Sequence, residues 1–283
     1  MSLTRTLVYT ALAMLAFAGN SLLCRVALKH TSLDAASFTS IRLVSGALVL
    51  CLLVRMRRPG TPVGGNWLSA GALFAYAAGF SFAYLRLSAA TGALLLFGAV
   101  QATMIGHGVW AGERLRPLQW AGLLVTLGGL VGLLLPGLSA PPLPSALLML
   151  GAGVAWGMYS LRGKGAGDPL AVTAGNFLRA APLALAVSVL LYPAISLDSA
   201  GLRYAVASGA LTSGIGYAIW YSALPQLPST AAATVQLSVP VLAALGGIVF
   251  LGETASLRLL LASVAVLGGI ALVIWQKQRA AAD

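Results

Sequence analysis

The stretch "LLVTLGGLVGLLL" at 123–135 limits what this chain can fold into more than any other feature. It holds no charge, and apolar and polar residues do not alternate along it. A half-buried strand and a membrane barrel both need that alternation. What remains is a helix that is apolar on every side. Charged residues make up 8% of the chain, against roughly 25% in a soluble domain. So few charges cannot cover a surface in water, so most of this surface faces lipid. The 283 residues give room for about ten spans of about 20 residues each. The 33 glycines agree, because small residues let helices approach where lipid supplies no hydrophobic drive. The expected fold class is an all-α membrane protein.

A net charge of +11 does not imply a nucleic-acid partner. The Lys and Arg residues are scattered beside apolar runs, with no basic domain and no aromatic interleaving. The positive-inside rule accounts for them better. Cys24 and Cys51 lie in apolar segments and form neither a disulfide framework nor metal-ligand spacing. No metal and no cofactor is expected. The sequence holds no HxxxH, no paired Asp motif and no Cys/His cluster, so enzymatic chemistry is not expected either. The first span lacks a convincing cleavage site and reads as retained.

The spans expected are 5–25, 35–55, 67–86, 89–111, 117–136, 144–162, 169–192, 202–222, 229–251 and 256–276. Their breaks have physical causes. "RMRRPGTPVGGN" (55–66) combines charge, proline and glycine, and "PGLSAPPLPS" (136–145) is the most proline-rich stretch. With the N-terminus inside, ten Lys and Arg fall on inner segments and five on outer ends. That bias favours both termini in the cytoplasm. Arg25 and Lys29, on the outside, run against it.

The chain repeats itself. Gly112-Glu113 matches Gly252-Glu253 at an offset of 140, which also carries Leu127-Gly128-Gly129 onto Leu267-Gly268-Gly269. "AFAGNSLLCR" (16–25) lies over "AWGMYSLRGK" (155–164) at an offset of 139, and Arg42 over Arg179 at 137. The division expected is a first five-helix repeat at 1–136, a linker at 137–143 and a second repeat at 144–283. Five is odd, so the halves enter the membrane in opposite senses. Inverted repeats of this kind are a signature of transporters, with a site near the midplane between the halves.

These motifs resemble the drug/metabolite transporter superfamily, in its ten-span EamA-type branch. The resemblance rests on the paired Gly-Glu turns, "SVPVLAAL" (238–245), Arg42, Arg179 and "IWYSAL" (219–224). Within the branch the chain looks most like bacterial YddG-type exporters of aromatic amino acids. The resemblance implies a multi-pass protein of the bacterial inner membrane, acting as a monomer or weak homodimer on a small molecule. One departure is Val100, where the branch usually has the proline found at Pro240.

Candidate cavity residues come from polar and aromatic positions inside apolar spans. Phe17, Asn20 and Ser21, with their mates Trp156, Tyr159 and Ser160, share helix faces by spacings of three and four. Asn and Ser are costly against lipid, so these faces look inward, as cavity walls or as helix-helix contacts. Tyr76, Phe80 and Tyr84 form a stripe, and Tyr217, Trp220 and Tyr221 a second patch. Tyr84 and Tyr221 lie nearer span ends, where interfacial anchoring is favoured. Gln101 and Gln236 need amide partners, either a helix or a substrate. His107 reads more readily as a packed residue than as a proton carrier. Arg42 and Arg179 are intramembrane charges; pairing or carbonyl binding and substrate carboxylate binding both stay open for them. Glu113, Glu253 and Pro240 are read as structural or gating positions. Each glutamate precedes a helix start, where it can accept from unpaired N–H groups.

All six acidic residues fall in loops, turns or the tail. A carrier without a membrane-embedded carboxylate should be poor at trading protons for cations. A neutral, aromatic, amide-bearing cavity suits a zwitterionic or neutral metabolite with an apolar side chain. The expected function is a secondary transporter exporting such amino acids by alternating access. The alternatives are a carrier of another small metabolite or drug, and a lipid scramblase or channel.

Overall fold

The computed structural model describes residues 3–57, 59–60, 62–112, 114–137, 140–163, 167–191, 195–227 and 229–282. Among them the regular structure is helical, with no strand. The elements are α1 (Leu3–His30), α2 (Ala35–Arg57), α3 (Trp67–Tyr84), α4 (Ala89–Trp110), α5 (Pro117–Leu134), α6 (Leu143–Gly163) and α7 (Pro169–Leu190). Then follow α8 (Ser199–Ala207), a π-helical segment (Ser208–Ile215), α9 (Gly216–Ala223), α10 (Ser229–Gln236), α11 (Ser238–Leu251) and α12 (Leu257–Ala282).

Among the described residues, eight segments are long and apolar enough to cross a membrane. α3 and the composite α8–α9 stack are not among them. Large apolar side chains point away from the bundle, as with Trp110 (86% exposed) and Phe250 (78% exposed). In water such a surface would drive aggregation; in lipid it costs nothing.

Helix starts follow the polar residues between spans. The side chains of Asn66, Ser88, Asp168 and Asp198 accept from N–H groups in the first turns of α3, α4, α7 and α8. Asp34 does the same for Ser37 and also accepts from the Ser196 N–H, tying the start of α2 to the segment before α8. Burial pushes the Asp34 carboxyl up, and the N–H groups of Ser37, Ser196 and Ala36 with the Ser37 hydroxyl outweigh it, holding its pKa below the usual value. Both Gly-Glu turns use a left-handed glycine, with φ of 94° at Gly112 and 61° at Gly252, a conformation other residues adopt at a cost.

The packing has a regular plan. α2 lies on α7, and α5 on α12. α3 and α4 pack on α6; α8–α9 and α11 pack on α1. Exchanging α1–α5 for their five counterparts in the second half turns this set of contacts into itself. Glycine permits the closest crossings. A Cβ on Gly122 of α5 would come within 2.6 Å of the Gly269 carbonyl oxygen of α12.

Two segments of the second half are interrupted. The ninth-span segment breaks at Leu237, between α10 and α11, three residues before Pro240. A proline supplies no N–H and its ring opposes the carbonyl four residues back. In the first half, α4 runs unbroken through Val100. The eighth-span segment passes through the π-helical turn at 208–215, whereas α3 is a continuous helix. The π turn lies directly on α2: a Cβ on Gly209 would overlap the Arg42 carbonyl and the Ser45 hydroxyl.

Candidate functional site

A cavity of about 690 Å³ occupies the centre of the bundle. Its walls come from α1, α3, α4, α6, α7, the π turn, α9 and α10. It lies between Phe17, Asn20, Ser21, Tyr76, Phe80, Gln101, Trp156, Tyr159, Tyr217, Trp220 and Gln236. These are the positions singled out from the sequence, drawn from both halves of the chain.

Its middle is an aromatic wall centred on Trp156. The Trp156 ring stacks on Tyr159 (5.3 Å) and Tyr217 (5.5 Å) and lies 4.8 Å from Tyr76. Phe17 meets Tyr217 and Trp220 at 5.6 and 6.1 Å. Aromatic pairs at such spacings contribute roughly 0.5–1.5 kcal/mol beyond the area they bury. The Gln236 amide donates to the Ala232 carbonyl of its own helix. The Gln101 amide has no hydrogen bond to any described residue and faces the cavity. Asp and Glu are absent from the lining among the described residues.

The two ends of the cavity differ. Toward one end it is lined by Asn66, Arg162, Gly163 and Pro169, all exposed, which form a mouth. Arg162 donates to the Ser69 hydroxyl and the Asn66 side-chain oxygen there. Beyond the other end lies a seal. Arg25 Nε is 3.1 Å from Glu253 Oε1, with both side chains nearly buried. Arg25 also donates to the Tyr84 and Leu85 carbonyls, and Glu253 Oε2 accepts from the Ala89 N–H at 2.8 Å. One ion pair thus joins the ends of α1, α3 and α11 to the start of α4. This gives Arg25, which ran against the charge bias, a structural reason to be there.

Some sequence expectations are corrected. Glu253 does not serve the helix that follows it; it caps α4 in the other half, while Ser256 serves α12. Tyr84 is fully buried, its hydroxyl donating to the Ala89 carbonyl, and is no interfacial anchor. Tyr221 lines the cavity and accepts from Thr173. His107 is exposed beside Trp110, outside the cavity and not packed in the core. Arg179 binds carbonyls, those of Gly64 and Gly175. Arg42 binds neither carbonyl nor carboxylate among the described residues: its guanidinium donates to the Tyr76 and Ser213 hydroxyls. Glu113 lies outside the described residues. Thr212, Ser213 and Arg162 line the cavity without having been singled out. The polar run "LTSG" inside an apolar span was the signal available for the first two.

A multi-segment helical bundle around an aromatic cavity, with an exposed mouth at one end and a nearly buried ion pair beyond the other, fits a small-molecule carrier. Residues 143–275 match the EamA-like transporter family. The chain is 61% identical over 271 residues to the uncharacterized protein PA1977 of Pseudomonas aeruginosa, covering 95% of this chain and 94% of that one. It is 35% identical over 147 residues to the threonine/homoserine exporter RhtA of Salmonella typhimurium, about half of each chain (49% and 48%). The Escherichia coli K12 RhtA is 31% identical over 165 residues, 54% of this chain and 53% of that. A solved crystal structure matches 98% of this chain and all of its own at a TM-score of 0.69 and 22% identity, a likeness of fold alone. Residues 143–275, the second half of the chain, thus carry the pattern of the EamA-like transporter family.

Proposed function

We propose that this protein is a secondary transporter that exports amino acids with aromatic or other apolar side chains, and related neutral metabolites, across the bacterial inner membrane. The cavity carries the reading. It is aromatic, lacks acidic groups among its described lining residues, is built from both halves of the chain and has an exposed mouth at the Asn66–Arg162 end; the nearly buried Arg25–Glu253 pair lies beyond its other end. We read all ten segments as spans, with both termini cytoplasmic and with 1–136 and 144–283 as inverted repeats joined by 137–143. The contact plan that maps onto itself under exchange of the halves supports that reading. The open mouth then faces the cytoplasm, the side from which an exporter loads. Alternating access follows from opening the sealed end while the mouth closes. The named activity of the RhtA relatives, export of threonine and homoserine, supports the amino acid class. The Trp156 stack favours flat side chains over small hydroxylated ones, as in the YddG-type exporters the sequence resembles.

The test is counterflow in proteoliposomes. Labelled phenylalanine, threonine and lysine are offered to the purified protein, with and without Trp156→Ala. Phenylalanine should exchange fastest, lysine should not exchange, and the substitution should remove the phenylalanine preference. Exchange of lysine at the phenylalanine rate, or of none of the three, defeats the proposal.

A further inference from the structure

The polar groups behind the aromatic wall hold one imbalance. Arg42 is 1% exposed and its Nη1 has no hydrogen-bond partner among the described residues. Its Nη2 donates to the Tyr76 hydroxyl at 2.9 Å and its Nε to the Ser213 hydroxyl at 3.4 Å. The faces of Tyr76 and Phe80 lie 5.2 and 5.0 Å from the guanidinium carbon. A buried guanidinium is ordinarily matched by a carboxylate. Here the described residues supply two hydroxyls and two rings.

Counting protons extends the point. The Tyr76 oxygen accepts from Arg42 and, at 3.4 Å, from Asn20 Nδ2. Both its lone pairs are used, so its own O–H remains a donor. Asn20 takes that orientation with its Oδ1 accepting from the Ser208 hydroxyl at 2.7 Å; the single Thr212 hydroxyl proton lies nearer the Ser208 carbonyl (2.8 Å) than Asn20 Oδ1 (3.3 Å). Ser213 likewise accepts from Arg42 and has no acceptor among the described residues. Tyr76 and Ser213 both line the cavity. Ser213 belongs to the π turn, a local geometry that recurs at functional sites. Donors therefore converge on one side of the cavity, backed by a positive charge, and neither hydroxyl donates to any described residue.

We infer that Tyr76 and Ser213 form a carboxylate subsite, and that Arg42 is the positioning residue that orients and polarises them. This rests on the amino acid reading above and narrows it: the substrate needs a free carboxylate, set against Tyr76, with its side chain along Trp156. Arg42 then gains its missing counter-charge only when the cavity is occupied.

The experiment is equilibrium binding of L-phenylalanine, L-phenylalaninamide and 3-phenylpropionate to the full-length protein in nanodiscs. The wild type should bind both acids about tenfold or more tightly than the amide, the scale of a charge-assisted hydrogen bond. Tyr76→Phe, which keeps the ring, should erase most of that preference. Arg42→Gln should erase it too, and Arg42→Lys should restore part of it, which a purely structural role would not do. Equal binding of acid and amide by the wild type overturns the subsite and leaves the transporter reading standing. Full acid preference in Tyr76→Phe combined with Ser213→Ala overturns it as well. Binding of none of the three probes overturns the aromatic amino acid reading and the subsite with it.

Discussion

The two halves of the chain use the same contact plan with helices of different continuity. In the first half, α3 and α4 are continuous helices, and they carry Tyr76, Phe80 and Gln101 into the cavity. Their counterparts carry Tyr217, Trp220 and Gln236 on segments broken by a π turn and at Leu237. One wall of the cavity stands on unbroken helices and the other on interrupted ones. Helix hydrogen bonds lost at a joint are the places where a packed bundle yields first. If the chain cycles as proposed, the interrupted segments of the second half are where it should bend first.

That comparison can be broken most severely by moving the joint. Val100→Pro would interrupt α4 in mid-helix, at a cost of about 3 kcal/mol or more. Pro240→Val should change stability by less than about 1 kcal/mol while slowing counterflow. Thermal melting and counterflow of the two variants check both; equal destabilisation would mean the halves do not differ in the way described. The next effect concerns the seal. Glu253→Gln leaves Arg25 nearly buried without its partner and should cost about 3 kcal/mol. Arg25→Gln on the same background should add little, which a double-mutant melting cycle measures. Trp156→Ala removes contacts to three rings and should lower phenylalanine affinity about tenfold. The smallest effect is at Asp34. Its pKa is lowered in the fold, so its contribution is complete above the ordinary carboxylate value of about 4 and is lost as pH falls through the lowered one. Asp34→Asn should therefore lower the melting temperature slightly near neutral pH and flatten its decline under acid.

The cavity residues were legible because a polar or aromatic side chain in a charge-poor span has few places to go. Asn20, Gln101 and the Tyr76 stripe could face lipid at a cost, or one another. The two Gly-Glu turns gave the register, and their left-handed glycines explain why the motif recurs. Depth was not legible. Tyr84 and Tyr221 stand near span ends in sequence, but bundle packing buries one and turns the other inward. The π turn leaves no trace beyond "SGALTSGI"; in the fold that segment packs closely on α2 through Gly209. Pairing across the chain was hidden as well. Glu253 precedes α12 but serves α4, a choice that only tertiary proximity makes.

That last pairing has a consequence for how the protein is made. Arg25 and Glu253 are 228 residues apart. At about 5–20 residues per second a ribosome needs roughly 11 to 46 seconds to travel between them. For that interval the cation at the end of α1 waits without its acid; the first turn of α4, 164 residues before Glu253, waits without its acceptor for roughly 8 to 33 seconds. The nascent chain therefore inserts most of its helices before one end of the bundle can shut, and a chain that stops before residue 253 cannot shut it at all.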